Sequence, residues 1–132
     1  HARSHGADVA SEAMEILELT GLESKAEVTP AGLTQIEMRK LELARAMAVK
    51  PKLLISDEAM AGLSSAEVDD VLATLFRLNE RGITVIMIEH IMRAVMRFSE
   101  RIVVLDAGEK IAEGTPDEIV SNKAVERAYL GE

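Results

Sequence analysis

The stretch KLLISDE (residues 52–58) is an apolar run that ends in two acids, and ITVIMIEH (residues 83–90) repeats the pattern and adds a histidine. Apolar runs without polar alternation are typical of parallel strands buried on both faces. Charged groups next to such a core are costly unless something pairs with them. The two runs therefore predict neighbouring buried strands with charged ends. The residues at those ends are Asp57, Glu58, Glu89 and His90.

The composition limits the kind of core that the chain can build. It has 132 residues, which is enough for one domain with a real core. Apolar residues make up 48% and aromatic residues only 2%, with seven methionines. An aliphatic core of this kind favours helices packed on a parallel sheet over a β-sandwich.

Charge and cysteine content exclude several classes of function. The net charge is −8, from 23 acids and 15 bases, so we expect no nucleic-acid partner. The absence of cysteine excludes disulfides, thiolate metal sites and cysteine nucleophiles. No apolar run approaches the roughly 18 residues of a membrane helix, and no secretory signal is present. We expect a soluble chain that reaches a membrane only through a partner.

The periodicity around the two runs predicts an α/β fold. Thr34 and Glu37 have the spacing of a capping box, which predicts a helix start, and Lys50-Pro51 ends that helix. Alternating strands and helices indicate a parallel sheet with right-handed crossovers. We also expect RIVVLD to run beside the first two strands in the same direction. The predicted helices begin near residues 8, 34, 66, 90 and 115, and a short helix closes the chain. The predicted strands are residues 52–56, 83–89, 101–106 and 110–114. The last strand returns from a hairpin turn.

The chemistry of the strand ends predicts phosphoryl transfer. Ligands of open parallel sheets bind outside the carboxyl ends of the strands, where Asp57, Glu58 and His90 should converge. A carboxylate such as Asp57 suits Mg²⁺, Glu58 could orient or deprotonate a water, and His90 could bind a phosphate oxygen. Taken singly, each has a plain structural explanation as a helix cap or a solvated surface group. The phosphate-cradling motif GxxxxGK[ST] does not occur in the chain.

Four segments in order resemble the later half of the ATPase subunit of ABC transporters: LTQIEMRKLELARAMA, KPKLLISDEAMAGLSSAEV, GITVIMIEHIMRAVMRFSERIVVLDAGEKIAEGTPDEIV and VERAYLGE. IEHIM, IAEGTP and AYLGE are most similar to the subunits of branched-chain amino-acid importers. The resemblance implies a partial P-loop NTPase-like parallel sheet with flanking helices, lacking the Walker A half. It divides the chain into an N-terminal helix and loop (residues 1–32) and the C-terminal half of the ATPase core (residues 33–132).

The resemblance also implies roles for individual residues. LLISDE matches the Walker B strand, so Asp57 would act on Mg²⁺ through water and Glu58 would be the general base. His90 matches the switch histidine that contacts the γ-phosphate of ATP. LTQIE matches the signature motif, where Thr34 and Gln35 would meet the ATP held by a second subunit, with a helix N-terminus as the anion site. AGLSSAE matches the D-loop that faces that subunit, with Ala61, Gly62, Leu63 and Ser64.

Two departures from the family pattern matter for the site. Gln35-Ile36 stands where the family has a glycine pair, which lets the backbone approach phosphate closely. Ala59 stands where a proline commonly follows the catalytic acid. Gln35-Ile36 is bulkier than a glycine pair and less permissive of a close approach to phosphate.

As a whole, the resemblance implies an ATP-binding subunit that hydrolyses ATP, with Mg²⁺, to energise import of branched-chain amino acids. Its partners would be a second ATPase subunit and transmembrane permease subunits, at the inner face of the cell membrane. Without a phosphate loop, we expect this chain alone to bind ATP weakly or not at all and to be inactive. We also expect an exposed apolar sheet edge and face, and self-association through them.

Two other interpretations compete with this one. The chain could be a non-enzymatic interaction module that docks on a membrane permease and has a decayed nucleotide site. Gln35-Ile36 and the absent phosphate loop favour that alternative. A receiver-like signalling domain could use Asp57 as its phosphorylated residue, but no lysine closes a later strand in the required place.

Overall fold

The computed structural model describes residues 2–130, with side chains described for residues 6–129. The chain divides into two compact units, the first ending at Glu89 and the second beginning at His90. This boundary follows packing, whereas the predicted division after residue 32 follows motifs. The helices are α1 (Ala2–Thr20), α2 (Gln35–Met47), α3 (Ser65–Glu80), α4 (Met92–Phe98), α5 (Pro116–Val120) and α6 (Lys123–Leu130), and the strands are β1 (Leu53–Asp57), β2 (Thr84–Ile88), β3 (Ile102–Asp106) and β4 (Glu109–Gly114).

Within the described residues, three helices begin with a complete capping box, which fixes their first turns. In each box a hydroxyl accepts from the backbone N–H three residues later, and the glutamate there accepts from the backbone N–H of the capping residue. The exchange satisfies two donors that a helix start otherwise leaves unpaired. The predicted start of α2 is thereby confirmed. The three pairs are Thr34 with Glu37, Ser64 with Glu67, and Thr115 with Glu118.

The first unit packs three helices around an aliphatic core. Helix α1 contacts α2 and α3, and α3 contacts β2. Helix α1 begins at Ala2, earlier than the predicted residue 8, and the predicted loop at residues 23–32 contains two short 3₁₀ turns. Lys40 of α2 pairs with Asp70 of α3 at 2.7 Å. The buried apolar side chains of this unit are Leu22, Leu43, Ala44, Met47, Leu54, Met60, Val68, Val71, Leu72, Leu75 and Leu78.

Strands β1 and β2 are parallel and in register from Leu53 opposite Thr84 to Asp57 opposite Ile88, as predicted. The expectation that both faces are buried was wrong. Burial alternates along β1, because the side chains of Leu54 and Ser56 lie on the helix-covered face and Ile55 lies on the other. The exposed face carries Leu53, Ile55, Ile86 and Ile88, each about half exposed. The predicted exposed apolar sheet face is therefore confirmed.

Strand β3 does not extend a three-stranded parallel sheet, so that part of the prediction was wrong. It pairs antiparallel with β4, and the strands of residues 2–130 form two two-stranded sheets. The pairing with β4 follows from the two-residue turn Ala107-Gly108, in which both residues have positive φ (48° and 83°). Such a turn matches the twist of a hairpin and returns the chain at once beside β3. The predicted return strand is confirmed.

The second unit packs its last helices on this hairpin. Helices α5 and α6 contact β4, and the side chains of Ile119 and Val125 are buried. The Tyr129 hydroxyl donates to the Leu105 carbonyl at 3.1 Å. Hydrogen bonds and charge from Lys110, with Arg101 adding to them, lower the pKa of Glu113. No helix in residues 2–130 has the length and apolarity needed to cross a bilayer.

Candidate functional site

Two acidic residues that are adjacent in sequence lie at the end of β1, and both are exposed to solvent. Asp57 closes the strand opposite Ile88 of β2, and Glu58 follows it. The Glu58 N–H donates to the Ile88 carbonyl at 2.8 Å, which continues the ladder by one residue. The predicted placement of these two acids at the carboxyl end of a parallel strand pair is confirmed.

Glu58 has a left-handed backbone conformation, with φ 49°. For a residue with a side chain this conformation is uncommon and costs free energy. It persists only where the surroundings hold it, and it occurs frequently at functional sites. In Glu58 it turns the chain sharply away from β1.

The turn that follows Glu58 is anchored in the core by Met60, whose side chain is fully buried. The Met60 N–H donates to Oε1 of Glu89 at 3.1 Å, and the Leu63 N–H donates to the Met60 carbonyl at 3.2 Å. The turn therefore has contacts with the end of β2 as well as with its own strand. We refer to residues 58–63 as the acid turn.

Gln35 of α2 reaches the acid turn from the other side. Its Nε2 donates to the Ala61 carbonyl at 3.4 Å. A Cβ added at Gly62 would lie 2.9 Å from the same Nε2, and Gly62 has φ +78°. Only glycine satisfies both conditions without strain. The signature-like segment and the D-loop-like segment thus touch within one chain.

The N-terminus of α2 is already partly occupied. Oε2 of Glu37 accepts from the Thr34 N–H at 2.8 Å, and the Thr34 hydroxyl accepts from the Glu37 N–H. The bond from the Thr34 N–H is the main cause that lowers the pKa of Glu37, with Lys25 contributing at 3.4 Å. A phosphate at this helix end would share it with the Glu37 carboxylate. The role of Thr34 in nucleotide binding stays a prediction.

Ser64 has a structural role that is independent of any ligand. Its hydroxyl caps α3 by accepting from the Glu67 N–H at 3.3 Å, and its own N–H donates to Oε2 of Glu67 at 2.7 Å. Contact of Ser64 and Gly62 with a nucleotide across a subunit interface stays a prediction.

The donor set fits Mg²⁺ that is bound mainly by water and phosphate. Among the described residues, no three histidine or carboxylate side chains group to hold a metal ion by themselves. Asp57 offers one exposed carboxylate at the strand end. Mg²⁺ commonly uses one or two carboxylates and keeps several waters, so a single Asp is compatible with the predicted role.

His90 is exposed and is the first residue of the second unit. Its contact with a γ-phosphate stays a prediction. Sequence reasoning left one residue of the site without a role: Glu89, whose carboxylate binds the acid turn. The position of Glu89, directly after a strand and before His90, is the sequence feature that could have indicated a role in the site.

Comparison with known proteins places these features in a family. A family model described as branched-chain amino acid ATP-binding cassette transporter matches residues 109–132. The high-affinity branched-chain amino acid transport ATP-binding protein BraF of Pseudomonas aeruginosa is 42% identical over 126 residues, covering 92% of this chain and 49% of BraF. LivG of Escherichia coli, which has the same description, is 41% identical over 119 residues, covering 88% of this chain and 46% of LivG.

A solved structure agrees with these sequence matches. The ADP conformation of MJ1267, an ATP-binding cassette of an ABC transporter, superposes with a TM-score of 0.86 at 28% identity. The match covers 95% of this chain and 51% of MJ1267. The chain spans about half the length of the curated relatives it matches. Over that shared part, the chain is similar to the ATP-binding subunits of ABC transporters of the branched-chain amino-acid type.

Proposed function

We propose that this chain forms the part of an ATP-binding subunit that activates water for ATP hydrolysis and so energises import of branched-chain amino acids. The observation that carries the proposal is the pair Asp57-Glu58 at the carboxyl end of a parallel strand, with Glu58 in a left-handed conformation. The names of the relatives supply the transported class.

In the proposed mechanism, Glu58 accepts a proton from a water that attacks the γ-phosphorus of ATP. The bond between the γ-phosphorus and the β–γ bridging oxygen breaks, and ADP leaves with that oxygen. Asp57 would hold Mg²⁺ through water, and the ion would supply charge compensation for the phosphates. His90 binds a γ-phosphate oxygen. Positioning and charge compensation contribute most of the rate in such reactions.

The second half of the proposed site comes from another subunit. The α2 N-terminus, with Thr34 and Gln35, would face ATP held by a second ATPase subunit, and Gly62 and Ser64 would line that interface. Permease subunits would hold the complex at the inner face of the membrane. The name of BraF as a transport ATP-binding protein, and that of the similar structure cbiO1 as part of the ABC transporter complex cbiONQ, support a transporter complex.

The chain alone lacks GxxxxGK[ST]. Loop amides and the lysine of that motif supply most phosphate binding in P-loop proteins. We therefore expect no ATP hydrolysis and only weak ATP binding by the 132-residue chain. Calorimetric titration with ATP and Mg²⁺ measures this directly, and micromolar affinity would contradict it.

The catalytic assignment is tested by Glu58→Gln in a complete subunit that contains this chain. We expect ATP hydrolysis to fall by at least about 100-fold, because the general base is lost, while ATP binding persists. Glu80→Gln, on an exposed helix end of the same unit, is the matched control. Equal activity of the Glu58 variant and the control would refute the role of Glu58.

One observation favours a second candidate, a permease-docking module without nucleotide chemistry. The Thr34 N–H is bonded to Glu37, and the Gln35 amide is directed to its own acid turn. If this second candidate is right, the complete subunit will not turn over ATP. If the ATPase is right, it will, and Thr34→Val and Gln35→Ala in the complete subunit will lower that turnover. A loss of turnover in both variants supports the ATPase.

A further inference from the structure

The two carboxylate oxygens of Glu89 have different surroundings. Oε1 accepts from the Met60 N–H at 3.1 Å, whereas Oε2 is buried and has no hydrogen-bond partner within the described residues. Burying an unpaired carboxylate oxygen costs free energy. A glutamine would keep an acceptor for Met60 and carry no charge, so packing alone does not explain this acid.

Two successive residues, Ile88 at the end of β2 and Glu89 directly after it, bind the acid turn. The Ile88 carbonyl first accepts from the Glu58 N–H at 2.8 Å, and the Glu89 side chain then accepts from Met60, two residues further along. The buried side chain of Met60 also fixes the turn to the core.

Glu58 lies between a main-chain bond at its own N–H and the Glu89 bond at Met60. A residue with φ 49° is held against its own conformational preference. Loss of the bond at Met60 leaves the turn to the buried Met60 side chain, to its internal backbone bonds at 3.2 and 3.3 Å, and to the contact from Gln35 at 3.4 Å.

From this geometry we propose that Glu89 is a positioning residue, which fixes the acid turn and thereby the direction of the Glu58 carboxylate. The catalytic consequence rests on the proposed function. The structural part is that the Glu89 carboxylate holds the turn through the Met60 amide, and it is independent of the proposed function. A charged acceptor forms the stronger bond, which accounts for an acid at this position.

The structural part is tested by amide hydrogen exchange and NMR on the 132-residue chain. In Glu89→Ala we expect exchange at Met60 to rise at least about tenfold, the equivalent of one lost hydrogen bond, with a smaller rise at Leu63. The amides of Leu72 and Leu75 should keep their rates, and Glu80→Ala should change none of them. An unchanged Met60, or an equal rise at all four amides, overturns the proposal.

Glu89→Gln keeps the test decisive if the alanine variant does not fold. Its neutral amide oxygen still accepts, so we expect Met60 to stay protected while its amide proton shifts upfield, since the acceptor has lost its charge. An unshifted Met60 proton in Glu89→Gln overturns the proposal.

The catalytic part is measured in a complete subunit. We expect Glu89→Ala to lower kcat by about 100-fold, as small misplacements of reacting groups do, with KM for ATP within about threefold and partial recovery in Glu89→Gln. A changed KM at constant kcat would overturn it. If Glu58→Gln hydrolyses ATP normally, the proposed function fails while the exchange result at Met60 still stands, so the two failures are distinguishable.

Discussion

The two faces of the β1–β2 pair have similar side chains and opposite surroundings. Leu54 is 6% exposed on the face that the helices cover, whereas Leu53, its neighbour in sequence, is 48% exposed on the other. Both strands are mostly apolar, which predicts burial on both faces. Hydrophobicity specifies what a face can bury, and the neighbouring elements determine whether it does.

The largest expected difference between the faces is in unfolding free energy. We expect Leu54→Ala to cost about 2–5 kcal/mol, from lost transfer energy and a cavity. Leu53→Ala should cost about 1 kcal/mol or less, since its side chain is already half exposed. Urea unfolding followed by circular dichroism gives both values. Equal costs would show that the open face is covered in solution.

Self-association tests what the open face does. An apolar face of this kind, with the four aliphatic side chains named above, favours contact with a second copy. We expect the chain to associate, and the double variant Ile55→Thr with Ile86→Thr to weaken association at least about tenfold. Val49→Thr, at an 80% exposed residue outside the sheet, should not. Sedimentation velocity over a range of concentrations measures this, and a monomer at every concentration refutes it.

A smaller effect tests the polar groups on the covered side. The Ser56 hydroxyl is buried without a hydrogen-bond partner in the described part of the chain. The Thr74 hydroxyl donates to the Asp70 carbonyl and accepts from Arg77. We expect Thr74→Val to cost about 1 kcal/mol, and Ser56→Ala to be neutral or stabilising by up to about 1 kcal/mol. Thermal unfolding compares them. A destabilising Ser56→Ala would reveal a bonded hydroxyl.

The smallest effect lies on the solvent side, at the α2 cap. The Thr34 N–H and Lys25 lower the folded pKa of Glu37, so its contribution to stability is complete above the unfolded pKa. That contribution is lost as the pH falls through the lowered folded value. NMR titration should place the midpoint of Glu37 below the usual glutamate range, and Thr34→Pro, which removes the N–H, should raise it. An ordinary midpoint in the unmodified chain would contradict this.

Local signals were sufficient for much of this fold. The α2 capping box, the parallel register of the two apolar runs and the hairpin after Asp106 all depend on residues close in sequence or on a strong pattern. The prediction of a third parallel strand failed because an apolar pattern identifies a strand but does not determine which strand it pairs with.

The candidate site was predictable at the level of residue type. An acid pair after an apolar run was enough to select Asp57 and Glu58. The conformation of Glu58, the buried Met60 and the reach of Gln35 to Ala61 could not be predicted, because each depends on contacts between segments distant in sequence. The sequence shows an acid at position 89, but it does not show that this acid binds the Met60 N–H.

The close approach of Gln35 to Gly62 has a consequence for variation in related sequences. A methyl group at position 62 would displace the amide that crosses it, and a shorter residue at position 35 would leave the glycine free of that constraint. Because Gly62 also has φ +78°, position 62 should stay glycine whatever residue stands at position 35. Selection from a paired library at positions 35 and 62 would recover glycine at position 62 together with varied residues at position 35.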